Sequence, residues 1–334
     1  MLEPRPVKDT PSNDYQTTVD ALYADAATTP TSALCCTSTP PWRLPGLEVP
    51  RGMLERNYGC GSTVHPRDLA SAARCLYVGV GGGLEALQMA WFLRRPGGVV
   101  AVDRVDAMLD TARTLLIESE PLNPWFDRSF VELRKGDALA LPVEDGTIDV
   151  AAQNCLFNIF TRDHLDRALS EMHRVLRPGG RLVLSDPVAT RAIPAHLADD
   201  PRLRAECLSG ALPLDEYVSR IVAAGFGTLE IRSKRPYRVL DRTRHGLDEH
   251  LLLETIELVA IKDPVPADGA CVFTGKTAIH LGLDEVFDDG KGHRLVRDVP
   301  LGVCDKTAAA LAALGRDDLV ITGSTWHYAG DGCC

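Results

Sequence analysis

The chemical interest of this chain lies in its thiols. It has ten cysteines in 334 residues, and three sit in or beside turn-rich segments. Cys60 lies in Arg56-Asn57-Tyr58-Gly59-Cys60-Gly61, and Cys155 directly follows Asn154 at the end of a strand-like run. Cys207 lies in Ala205-Glu206-Cys207-Leu208-Ser209-Gly210-Ala211-Leu212. If they converge, three thiolates suit a soft, three-coordinate centre, because sulfur ligands select soft acceptors over hard cations such as magnesium or calcium. Zinc fits less well. Its structural sites usually show paired Cys-x-x-Cys knuckles, the sequence has none, and His65, His164, His173 and His327 stand singly without ligand spacing. Cys75, beside Leu76, reads as a small apolar core residue. Cys271 and Cys304 have no motif around them and read as structural. Cys35-Cys36 and the closing Cys333-Cys334 are vicinal pairs.

A second group of residues suits a nucleotide. The run Val78-Gly79-Val80-Gly81-Gly82-Gly83 ends a strand-like segment, and residues without side chains let a backbone approach a ligand closely there. Asp103 ends the next apolar run, about where an acidic residue meets ribose hydroxyls in such a unit. Gly136-Asp137-Ala138 and Gln153-Asn154 end the following two. Candidate cofactor contacts are therefore Gly79, Gly81, Gly83, Asp103, Asp137, Ala138 and Asn154. Each has a plainer reading: glycines make tight turns, and Asp commonly caps turns and helix starts.

These residues need a frame that gathers strand ends on one edge. From Cys75 onward short apolar runs alternate with amphipathic ones, the pattern of a parallel sheet covered on both faces. The runs predict strands at Cys75–Val80, Gly98–Asp103, Phe130–Lys135, Ile148–Asn154 and Arg181–Asp186. Helices are predicted at Leu84–Leu93, Ala107–Ile117 and Leu165–Val175. A helix at Leu214–Ala224, stopped by Gly225, precedes strands at Thr228–Ser233 and Leu251–Lys262. The expected fold is a doubly wound, Rossmann-like α/β sheet, mostly parallel, in residues 75–263. Residues 1–74 read as an N-terminal extension with one helix at Thr17–Ala27, and residues 264–334 as a small C-terminal domain with a helix at Lys306–Leu314.

Composition narrows the partners. With 45% hydrophobic and 25% charged residues the chain is globular in character. A net charge of -10 and a pI near 5.4 argue against nucleic acid, since phosphate binding needs surplus Lys and Arg. No run approaches the roughly 20 apolar residues that span a bilayer, and Met1–Asp20 is polar and acidic rather than signal-like. The protein is expected in the cytoplasm, where thiols serve metal binding or catalysis more often than disulfides.

The segment Leu169-Ser170-Glu171-Met172-His173-Arg174-Val175-Leu176-Arg177-Pro178-Gly179-Gly180-Arg181-Leu182 resembles the helix-turn-strand of class I methyltransferases that use S-adenosylmethionine. The spacing of Asp103, Asp137 and Asn154 is similar to theirs, over roughly Leu69 to Asp186. This resemblance favours a methyltransferase over a dehydrogenase. One position departs: where that superfamily has an acidic residue two places before the first glycine, this chain has Tyr77.

A narrower resemblance is carried by Cys35-Cys36-Thr37-Ser38, Tyr58-Gly59-Cys60-Gly61, Asn154-Cys155-Leu156-Phe157-Asn158, Ser185-Asp186 and Glu206-Cys207-Leu208-Ser209-Gly210-Ala211-Leu212. These are similar to the arsenite methyltransferases, as is Phe273-Thr274-Gly275-Lys276-Thr277-Ala278 less closely. The resemblance implies that Cys60, Cys155 and Cys207 bind trivalent arsenic and that Cys35 or Cys36 takes part in thiol exchange. It also implies that glutathione or thioredoxin recycles the protein in arsenic detoxification. The arsenic lone pair would attack the sulfonium methyl in line, so no strong base is required, and positioning supplies most of the catalysis. Two other readings stay open: a methyltransferase for another small molecule, and a thiol-based metalloid sensor or sequestering protein.

Overall fold

Val99–Asp103 reads Val-Val-Ala-Val-Asp, and its first four residues are buried, as expected of a strand packed on both faces. It is one of the central strands of the structure, a computed structural model that describes residues 14–31, 34 and 43–325. In chain order the elements are α1 (Asp14–Thr28), α2 (Arg51–Glu55), α3 (Pro66–Leu69), β1 (Cys75–Val78), α4 (Leu84–Leu93), β2 (Val99–Asp103), α5 (Asp106–Leu122), β3 (Val131–Lys135), β4 (Ile148–Asn154), α6 (Arg162–Val175) and β5 (Leu176–Ala189). There follow α7 (Ala195–Ala198), α8 (Pro201–Ala205), α9 (Leu214–Ala223), β6 (Thr228–Leu240), α10 (Arg242–His245) and β7 (Leu251–Ile261).

The large sheet has the order β3-β2-β1-β4-β5-β7-β6 and ends at β8 (Cys271–Phe273). The first five strands are parallel, β7 runs antiparallel to both β5 and β6, and β8 is parallel to β6. This is the mostly parallel, doubly wound class that the alternating runs predict. Strand alternation sorts the core into two layers. Leu76, Val78, Val100, Val102, Leu182 and Leu184 meet the helices α6 and α9. Cys75, Tyr77, Val99, Ala101, Val150 and Val183 meet α4 and α5. Cys75 is thus a core thiol, and its burial pushes its pKa up. Within α1, Tyr15 and Val19 join the first of these layers.

Beyond the sheet, β9 (Thr277–His280) pairs with β12 (Leu301–Gly302) and β13 (Leu319–Ile321), and β10 (Val286–Asp288) pairs with β11 (Arg294–Val296). With α11 (Asp305–Ala312) they enclose a small core of Ala278, Leu295, Val303, Ala308 and Leu311. Among the described residues, no helix is long and apolar enough to cross a membrane.

Two strands outrun their sequence signal. β5 continues through Pro187 to Ala189, and β6 through Arg235 and Pro236 to Leu240, because both pair along β7; β6 accommodates its irregular stretch with two register shifts. Lys, Arg and Pro read as loop in isolation, and cross-strand pairing overrides that preference.

One buried ion cluster ties the lead-in to this sheet. Asp68 of α3 is fully enclosed and accepts from Arg181 of β5 at 3.0 Å and from both terminal nitrogens of Arg232 of β6. Truncating one member of a buried pair leaves an uncompensated charge and costs about 3 kcal/mol or more. Asp68→Ala is therefore expected to lower the melting temperature by several degrees, read by calorimetry; an unchanged melt would show that the arginines find other partners.

Candidate active site

Gly79, Gly81 and Gly83 have φ of 83°, 52° and 87°, values that residues with a Cβ rarely adopt. They wind the chain from β1 into α4, with Gly83 as the N-cap. The turn is anchored by the Gly79 N–H on the Val102 carbonyl at 2.9 Å. It is fastened again by the Asp103 carboxylate, which accepts from the Val80 N–H and the Val105 N–H, each at 2.9 Å. Both plainer readings of Asp103 and Asp137 hold locally: Asp137 accepts from the Leu139 N–H at 2.9 Å. Yet the same residues, with Ala138, Asn154, Gly79, Gly81 and Gly82, line one pocket over the carboxyl ends of the strands; Gly83, predicted as a contact, instead faces Met53 and Ala112 behind the turn. Each Asp103 oxygen has a second lone pair to offer. The pocket therefore fits a nucleoside whose ribose meets Asp103 and whose chain passes over the glycines.

Sequence reasoning missed four contributors. Val19 and Tyr23 of α1 line the pocket, and Arg104 secures α1 there by pairing with Asp20 at 3.1 Å and Asp137 at 3.7 Å. The fourth is Glu85. Tyr77 stands where an acidic residue was expected, and its hydroxyl donates to Glu85 Oε2 at 2.7 Å. Glu85 is buried, lines the pocket, and also accepts from the Thr63 N–H and hydroxyl at 2.8 and 2.9 Å. Burial raises its pKa against the pull of these donors. The acid is thus supplied by the first turn of α4 instead of from β1.

The Cys60 loop is pressed onto these strand ends. Asn154 Oδ1 accepts from the Cys60 N–H at 3.0 Å, and Asn154 Nδ2 donates to the Gly61 carbonyl at 2.9 Å. A Cβ on Gly59 would fall 2.6 Å from Asn154 Nδ2, and one on Gly61 would fall 2.4 Å from Ser185 Oγ. The glycines flanking Cys60 therefore let the loop approach these strand ends without displacing the Asn154 and Ser185 side chains. The Cys60 thiol lies 3.6 Å from Ser185 Oγ, and its carbonyl accepts from Thr255 Oγ1 at 2.9 Å.

Cys155 continues directly from Asn154, with its N–H on the Ser185 carbonyl at 2.7 Å. The Cys207 thiol donates to the Cys155 carbonyl at 2.8 Å, and the Tyr23 hydroxyl lies 3.6 Å from the Cys207 sulfur. Cys60, Cys155 and Cys207 are all buried in one core layer. Cys155 and Cys207 have φ of 60° and 59°, two of only four non-glycine residues with positive φ among those described. Strain of that kind persists where surrounding contacts enforce it, often at functional sites. Here Gly210 is one such contact, since a Cβ on it would fall 1.9 Å from the Asn158 carbonyl oxygen.

The predicted residues are thus gathered as follows. Cys207 touches Cys155, Cys60 is fixed to Asn154 beside it, and Cys155 and Asn154 line the nucleoside pocket. Among the described residues, no three Cys, His, Asp or Glu side chains form a group that could hold a metal ion. Cys35, Cys36, Cys333 and Cys334 lie outside the described residues.

The strand order and the pocket define a class I methyltransferase, whose cofactor is S-adenosylmethionine, and the methyltransferase-domain family model matches residues 76–184. The arsenite methyltransferase of Aquipseudomonas alcaligenes is 32% identical over 292 residues, 83% of this chain and 80% of that protein. The arsenite methyltransferase of Halobacterium salinarum is 31% identical over 176 residues, 53% of this chain but 43% of that protein. The crystal structure of an arsenic(III) S-adenosylmethionine methyltransferase from Chlamydomonas reinhardtii aligns with a TM-score of 0.56 at 25% identity, covering 84% of this chain and 95% of that one. The chain belongs to the arsenite methyltransferase family.

Asp103 gives the pocket a pH dependence. Burial pushes its carboxyl up to about 6, against the backbone N–H groups of Val105, Val80 and Arg104 that favour the charged form. A ribose seated on Asp103 would donate both hydroxyls to the carboxylate, whereas the neutral acid presents a donor to one of them. The affinity for S-adenosylhomocysteine is therefore expected to be level above about pH 7 and to weaken below about pH 6, approaching tenfold per pH unit. Titration calorimetry tests this, and a flat profile down to about pH 5 would remove Asp103 from the ribose contact.

Proposed function

We propose that this protein methylates trivalent arsenic, with Cys60, Cys155 and Cys207 as the sulfur ligands of the substrate. The observation that carries the reading is the thiol of Cys207 on the carbonyl of Cys155 and Cys60 fastened to Asn154, both onto residues that line the cofactor pocket. S-adenosylmethionine, when bound, supplies an electrophilic methyl group on a sulfonium.

The residues of this chain do the rest. Asp103 and the glycine turn orient the nucleoside. Asn154 holds the Cys60 loop beside Cys155, and burial of the thiols excludes water. Arsenite binding is a condensation: three As–O bonds give way to three As–S bonds, and the thiol protons leave with the hydroxyls as three waters. For that the Cys207 thiol must leave the Cys155 carbonyl and turn toward the pocket. The bound arsenic retains a lone pair and takes the methyl with no proton removed, so the protein's contribution is positioning.

Further parts of the reading rest on sequence. One of Cys35 and Cys36 would exchange thiols with the site during the cycle, glutathione or thioredoxin would restore the reduced protein, and the reaction would belong to cytoplasmic arsenic detoxification. Residues 75–263 would form the methyltransferase domain, flanked by a thiol-bearing extension and a small C-terminal domain.

The experiment is a transfer assay with purified protein, S-adenosylmethionine, arsenite and glutathione, with arsenic species separated by chromatography and weighed. Methylated arsenic that vanishes in Cys60→Ser and Cys207→Ser variants is the expected result. Cofactor binding without methylated arsenic would assign the pocket to another acceptor.

A further inference from the structure

The segments that carry Cys271 and Cys304 are laced together well outside the methyl-transfer pocket. Cys271 opens β8, and Cys304 is the N-cap of α11, which packs on β8. Two ties bracket the thiols: Lys306 Nζ donates to the Gly269 carbonyl at 2.6 Å, and Thr274 Oγ1 donates to Asp305 Oδ1 at 2.7 Å. Held in this register, Cys304 at the start of α11 sits against the strand that Cys271 opens, and its thiol helps to raise the pKa of Cys271. Cys304 is buried and its sulfur lies 3.3 Å from Thr307 Oγ1, whereas Cys271 is only half-buried.

We propose that Cys271 and Cys304 form a second thiophilic site, a two-sulfur chelate for a trivalent organoarsenical or a similarly soft metalloid. Zinc is disfavoured because its structural sites draw four protein ligands, and the carboxylates beside the pair are already engaged. Asp268 holds Lys306 at 2.7 Å, and Asp305 holds Thr274 and Lys276 at 2.7 and 2.9 Å. Two sulfurs are what an arsenical with one organic group requires, and soft sulfur selects soft acceptors. With phenylarsine oxide the step is a condensation: the As–O double bond is replaced by two As–S bonds, and both thiol protons leave with the oxygen as one water. Nothing is oxidised or reduced. Burial and the Cys304 thiol push the Cys271 pKa up, and the Lys306 ammonium offsets part of that rise.

The test uses the full-length wild-type protein, fully reduced, with phenylarsine oxide as probe and N-ethylmaleimide labelling of Cys271 read by peptide mass spectrometry. Labelling is expected to fall by about tenfold or more with the arsenical and to return when 2,3-dimercaptopropanol strips it, since only the exposed thiolate reacts. In Cys304→Ser the arsenical is expected to leave Cys271 labelling unchanged. Equal labelling of wild-type Cys271 with and without the arsenical would overturn the proposal, as would protection that persists in Cys304→Ser. Methyl transfer by Cys271→Ser is expected to match wild type; its loss would overturn the separation of this site from the pocket. The labelling readout is independent of whether arsenite is the methyl acceptor.

Discussion

The Cys155→Ser variant is expected to lose methyl transfer to arsenite by about a thousandfold, roughly 4 kcal/mol of transition-state stabilisation, while binding S-adenosylhomocysteine almost as wild type does. Serine is close in size, so the buried site and its backbone contacts survive. What disappears is a soft ligand at the junction of thiols and cofactor pocket, and oxygen is a poor substitute toward a soft acceptor. Single-turnover chromatography of the arsenic products measures the first, and calorimetry the second. First-step activity retained by this variant would remove Cys155 from the site.

Gly210→Ala is expected to be as damaging without touching any sulfur. Its Cβ would meet the Asn158 carbonyl oxygen at 1.9 Å, and backbone cannot yield as a flexible side chain can. Asn158 is itself fixed by its side-chain amide on the Pro187 carbonyl at 2.7 Å. Overpacking of this severity costs about 3 kcal/mol, and the shift falls on the segment that carries Cys207. Because Cys207 is displaced from Cys155, transfer should drop to a similar degree, about a thousandfold, and the overpacking should separately lower the melting temperature. A variant with wild-type melt and turnover would show that this loop moves freely, contrary to its packing.

The parts of the fold legible in the sequence were those set by local pattern. The runs from Cys75 to Asp186 alternate strand and helix, and each strand delivers glycine or a polar residue to the same edge, so the pocket could be placed without coordinates. α4 spans Leu84–Leu93, the bounds its apolar run predicts. What escaped depends on partners distant in the chain. β6 runs on to Leu240 only because β7 is there to pair with it. Glu85 reads as an ordinary helix residue until Tyr77 and Thr63 are seen to share its carboxylate. Tyr23 gives no local sign of reaching Cys207 across the fold. The glycines beside Cys60 and at position 210 were visible as motif letters, but the reason for them is steric and appears only with Asn154, Ser185 and Asn158 in place.

The Arg104 clasp bears on turnover. Its guanidinium joins Asp20 of α1 to Asp137, and all three side chains remain partly open to solvent. Because α1 supplies part of the pocket wall, weakening this clasp is expected to ease the exchange of cofactor and spent product. Exposed ion pairs are screened by salt, so moderate ionic strength should hasten product release. When release limits the cycle, as it does in many enzymes, turnover would then rise with salt even as cofactor affinity falls.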